Sequence, residues 1–171
     1  LSGDEYVLHE DDWRQMELVS QQFAQVADSE IQSIRQIHEH QAAGIGWRSV
    51  HVRRGPERPI AGRLTLPDIE MIFGLQHSFG GVTYTGASSR IESGYSFTAA
   101  DGQQFYGLAP EGKVAVFAIA CRKLSKTPLG SIESVKTLAH EFNLDLVRWC
   151  RCERAGNADP LFHKMLAENA S

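Results

Sequence analysis

The chain has 171 residues, 42% hydrophobic and 22% charged, with a formal charge of -4. That composition excludes a disordered polymer and supplies apolar surface for a core of its own. It offers no global positive field for nucleic acid and no apolar run of the roughly 20 residues that span a bilayer, and three cysteines are too few and too odd for a secreted disulfide framework.

Glu5-Tyr-Val-Leu-His9 predicts a first strand, and the acidic Glu10-Asp11-Asp12 a turn. Trp13 to Val19 alternates, with Trp13, Gln15, Glu17 and Val19 on one side and Arg14, Met16 and Leu18 on the other. A second strand forming a hairpin with the first is the expectation, the start of the next helix the alternative. From Gln21 to Ala43 the period is helical: Phe23, Ala27, Ile31, Ile34, Ile37 and Gln41 recur at three and four, and Gly44 and Gly46 end the run. Trp47 to Arg54 alternates as a strand, Gly55 to Pro59 turns, and Ile60 to Leu66 is the expected return strand. Pro67, Asp68 and Glu70 suit the first turn of a short helix ending at Phe73.

Val82 to Thr85, Tyr95 to Thr98 and Gln103 to Leu108 predict three strands of an antiparallel meander. Asp101-Gly102 marks the turn between the last two, because both residue types accept positive φ. Lys113 to Cys121 is nearly unbroken Val, Ala, Ile and Phe and predicts a buried strand. After the break at Lys126 to Gly130, Ser131 is the expected N-cap of a helix striped by Ile132, Val135, Leu138, Ala139 and Phe142. Leu144 to Cys152 then predicts a strand, parallel to the Val114 strand if the crossover is regular, with an antiparallel insertion as the alternative. Asp159-Pro160 opens a last helix that docks through Leu161, Phe162, Met165 and Leu166. The expected fold is α+β: a single domain over residues 1–171, with a mixed or mainly antiparallel sheet, a β-meander and three to four packed helices.

The chemistry is weaker than the fold. Cys150 and Cys152 would share a strand face with Cys121 nearby, yet the spacing is not that of a zinc knuckle, and small buried cysteines are ordinary core residues. His38 and His40 lie two apart on a helix, about 200° around its axis, and cannot share a metal. His140 is accounted for by the helix dipole. The Gly-x-Ser-x-Gly nucleophile elbow is absent around Ser88 and Ser89, and no phosphate-binding glycine loop is present. No cofactor and no metal centre are implied.

One charge asymmetry stands out. Arg48, Arg53, Arg54, Arg58 and Arg63 fall in a stretch where only Glu57 is acidic. An ordinary solvated edge hairpin, blunted by charge, is the alternative to a functional patch. In the functional reading Trp47, Arg48, His51, Arg53, Arg54 and Arg58 make the candidate binding patch, since Arg and Trp are residue types that anchor interfaces and anions. The expected function is a non-catalytic intracellular binding protein of adaptor or neutralising type. It would use an Arg/aromatic surface that also takes in the central meander, with a protein or anionic small-molecule partner and no membrane; nucleic-acid binding ranks third, below this reading and its alternative. The alternative is a small hydrolase using Cys or His with a carboxylate. No leader pattern is visible, and a reducing cytoplasm is the expected location.

Overall fold

The computed structural model describes residues 5–9, 12–41, 56–76, 78–87, 89–121 and 129–169. Among them the strands are β1 (Tyr6–Leu8), β2 (Met16–Ser20), β3 (Val82–Tyr84), β4 (Gly94–Thr98), β5 (Gln104–Leu108), β6 (Val116–Ile119), β7 (Leu144–Arg148) and β8 (Glu153–Ala155). The helices are α1 (Ala24–Gln41), α2 (Leu66–Phe73), α3 (Leu129–Glu141) and α4 (Pro160–Asn169). The fold is α+β, with one six-stranded antiparallel sheet in the order β4-β5-β6-β2-β7-β8 and a small parallel sheet, β1-β3. No helix among the described residues is long and apolar enough to cross a membrane.

The meander β4-β5-β6 forms where the turn chemistry places it. Asp101 and Gly102 close the β4–β5 connection, with Gly102 at φ 88 and its N–H donated to Ala99 O at 2.9 Å. Asp101 then reaches past its own turn: its Oδ2 accepts the Ser131 N–H at 2.6 Å. Ser131 is therefore buried inside α3, which begins at Leu129, rather than standing as its N-cap.

The β1–β2 hairpin does not form. β1 pairs in parallel with β3, while β2 enters the middle of the large sheet, antiparallel to β6 on one side and to β7 on the other. The Val114 strand and the Leu144 strand thus run the same way but never touch. Once β2 is central, both its faces are covered and every residue from Met16 to Ser20 is buried. Ile60 to Leu66 is not a return strand either. Ile60 and Leu64 are buried and only Thr65 makes a bridge, to Lys113. At Thr65 the backbone N–H and the hydroxyl both donate to Asp68 Oδ2, at 2.8 and 2.6 Å, which fixes the start of α2.

Alternation sorts the sheet into two faces. One carries Met16, Leu18, Phe97, Phe105, Phe117, Leu144 and Leu146 against α2, α3 and α4. Its centre is aromatic. Phe97 and Phe105 stack at 4.9 Å, and Phe73 of α2 meets both rings edge-on at 5.0 Å; such pairs add about 0.5–1.5 kcal/mol each beyond burial. The other face is shared. α1 lays Ala27 and Ile31 on Val19, Val147 and Trp149, and the β1-β3 sheet lays Tyr6, Leu8 and Val82 on Tyr106 and Ala118. α1 is also tied electrostatically: Arg154 of β8 donates to Asp28 at 2.8 and 2.6 Å and also to Asp145 of β7. The Asp28 carboxyl is held below its ordinary range, first by that guanidinium.

Candidate functional site

Of the arginine stretch, Trp47, Arg48, His51, Arg53 and Arg54 lie outside the described residues. Arg58 is described and exposed. Its loop is anchored at its base: Pro56 O accepts from Arg14 at 2.9 Å, and Pro59 O accepts from the Ser20 N–H at 2.7 Å. Arg58 is therefore presented from a bend fastened to the central strand.

The three cysteines do not converge. After β7 the chain winds through a single 3-10 turn, Trp149–Arg151, and Cys152 adopts φ 55. That turn breaks the alternation that would have put Cys150 and Cys152 on one side. Cys152 is buried under α1, while Cys150 and Cys121 are exposed. Among the described residues no group of three or more His, Cys, Asp and Glu side chains is arranged to hold a metal ion. Although Cys121 is exposed as a residue, its sulfur turns back toward Ile119 O at 3.8 Å, and loss of hydration there pushes the thiol up to about 11, helped by the nearby Cys150 and Asp12. Its thiolate population at pH 8 is then on the order of a hundredfold below that of an ordinary thiol. Alkylation by iodoacetamide at pH 8, followed by peptide mapping, is expected to label Cys121 far more slowly than free cysteine. Labelling as fast as the free amino acid would show a solvated, reactive thiol instead.

Two arrangements that the sequence reading missed are more organised. The first lies between the two halves of the shared sheet face. Glu17, fully buried on β2, accepts from Arg14 Nε at 2.8 Å and Nη2 at 3.3 Å and from Trp149 Nε1 at 2.8 Å. Arg14, at φ 54, donates its backbone N–H to the Tyr106 hydroxyl at 2.9 Å, and that hydroxyl donates to Asp12 O at 2.9 Å. Burial raises the Tyr106 pKa beyond any physiological titration. The network ties β2, β5, the loop at Pro56 and the end of β7 into one buried polar knot, with its charges turned inward.

The second is an open groove of about 320 Å³ lined by Leu66, Phe79, Gly80, Gly81, Arg90, Ser93, Gly94, Tyr95 and Ala109. Residues 78–81 are held against β4 by the reciprocal pair Gly80 N–H to Ser96 O (2.8 Å) and Ser96 N–H to Gly80 O (3.0 Å). The turn before β4 is closed by Gly94 N–H to Ile91 O at 3.0 Å, with Ser93 at φ 57. Three glycines in the lining leave backbone rather than side chains on the floor. At Gly81 a Cβ would lie 3.0 Å from Arg90 Cδ and Nε, so a side chain there would push the flexible arginine aside. The Arg90 stem lies along that glycine, and its Nε donates to Glu5 Oε1 at 2.8 Å. Tyr95 is a wall and no acid, because its hydroxyl is spent on Val116 O at 3.0 Å and burial raises its pKa well above 10. The groove thus offers one cation, the half-buried apolar edges Leu66 and Phe79, and an accessible backbone floor.

Compared with models of protein families, with curated proteins and with solved structures, the chain matches none.

Proposed function

We propose that this chain is a non-catalytic binding protein of adaptor or neutralising type, working inside the cell through an Arg/aromatic surface centred on the meander. The observation that carries the reading is the groove itself, where Arg90 and Phe79 flank a floor of glycine backbone. A concave site with apolar walls and few polar groups is how proteins hold a segment of a partner or a small ligand, and 320 Å³ is at the small end of such sites. The arginine stretch of Trp47, Arg48, His51, Arg53, Arg54 and Arg58 is the proposed second part of the surface, with Arg58 exposed on its anchored bend. The partner is a protein or an anionic small molecule. A net charge of -4 argues against a polyanion such as nucleic acid. Against the hydrolase alternative, activation of a nucleophilic thiol needs a depressed pKa, and the environment of Cys121 moves it the other way.

Gly81→Leu tests the reading, because its side chain would fill the groove and displace the Arg90 stem, while the backbone at residue 81 is not left-handed. In a quantitative pull-down from the cells that express the chain, wild type is expected to retain a partner that Gly81→Leu loses. Identical capture by both proteins, or substrate turnover that survives the substitution, would reject it.

A further inference from the structure

We propose that the groove receives a peptide segment carrying a carboxylate beside an apolar side chain, and that Glu5 occupies the Arg90 position as a built-in competitor until such a segment arrives. The inference rests on the reading above and names the ligand class and its regulation.

Arg90 is set up as a receptor for a carboxylate. Its stem passes close to Gly81, where a Cβ would lie 3.0 Å from Cδ and Nε, and the guanidinium beyond it stays open to solvent. A guanidinium has five N–H donors in a fixed fork, and Glu5 engages it through Nε alone. The Arg90 side chain is 66% exposed and that of Glu5 is 38% exposed, so an outside carboxylate can reach the fork and displace a weakly held pair. Glu5 shows the chemistry directly, since the group already seated on Arg90 is a carboxylate from a neighbouring stretch of chain. Leu66 and Phe79 add apolar edges to the same concavity, and the glycine floor lets a second backbone come close. The overall charge of -4 disfavours a long polyanion, so the match is to one carboxylate in a mostly uncharged segment.

The test starts by panning phage-displayed random peptides on the full chain, then measuring the selected peptides by fluorescence polarisation. The expected winners carry Asp or Glu next to an apolar residue. Changing that acid to its amide is expected to weaken binding about tenfold, as loss of a charge-assisted bidentate contact does. Arg90→Ala should make the acid and amide peptides bind alike. Glu5→Gln should tighten the acidic peptide about threefold, the factor an exposed pair of this kind is worth. Gly81→Leu should abolish binding of both. Each variant is first checked by thermal unfolding, and Arg90→Gln replaces Arg90→Ala if the latter fails to fold. Unchanged affinity with Glu5→Gln, alongside loss with Gly81→Leu, would overturn the competitor and leave the groove standing. Intact binding with Gly81→Leu, or panning that yields no peptide, would bring down the groove itself. Winners without an acid, or displacement by inorganic phosphate at matched ionic strength, would overturn the ligand class.

Discussion

Gly107→Ala is expected to destabilise the protein by about 3 kcal/mol or more, at the top of the range for overpacking a filled core. Gly107 lies in β5 between Tyr95 of β4 and Phe117 of β6. A Cβ at this position would fall 1.9 Å from Val116 O and 2.8 Å from Val116 C, both backbone atoms. A crowded side chain can change rotamer, but a backbone carbonyl cannot, so the β5–β6 ladder would have to part. The Tyr95 ring closes the other side, with its Cε1 2.9 Å from the same Cβ. The ring crosses the glycine to bring its hydroxyl to Val116 O, and the absent side chain is what makes that reach possible. Urea unfolding provides the measurement. An unshifted midpoint for the alanine variant would mean that the strands do not approach this closely.

Glu17→Ala is expected to cost a comparable 3–5 kcal/mol, the usual loss when one member of a buried ion pair is removed. The carboxylate is fully buried and the Arg14 side chain is 11% exposed, so the guanidinium would lose the group that faces it at 2.8 Å in a setting where water replaces it poorly. The Trp149 indole would lose its acceptor at the same time. Glu17→Gln keeps an acceptor without the charge and should cost less. Replacing Arg14 and Glu17 together by apolar side chains should recover much of the loss, because what is expensive is the stranded charge. Urea melts followed by tryptophan emission would report both the stability and the new environment of Trp149. A loss under about 1 kcal/mol for Glu17→Ala would show that the buried pair is not the counter-charge it resembles.

The parts of this fold that could be read in advance are those governed by neighbours in sequence. Asp101-Gly102 closes its hairpin because both residues favour the required backbone, and Ala27 and Ile31 face inward because a helix repeats that way. What could not be read is set by residues far apart. Alternation correctly placed Glu17 with Val19, yet a charged residue on a strand ordinarily faces water, and only the insertion of β2 between β6 and β7 buries it. Strand alternation alone gives Cys152 the face of Cys150, because a positive φ at a non-glycine residue leaves no mark in the sequence. The groove was invisible for the same kind of reason. Leu66, Phe79, Arg90 and Ala109 come from four separate stretches, and no local pattern in the sequence links them. Arg58 alone of the predicted patch falls among the described residues, so the groove and that patch remain two separate parts of the proposal.

The central position of β2 has a bearing on how the protein is made. Glu17 lies opposite Ala118 and Val147, so this strand must wait for partners synthesised 101 and 130 residues after it. Pairings of such long range are slow to form, because a large loop has to close before any contact rewards it. In the meantime Met16, Leu18 and Val19 stay uncovered on the nascent chain, and it is during that interval that a chaperone would be most needed.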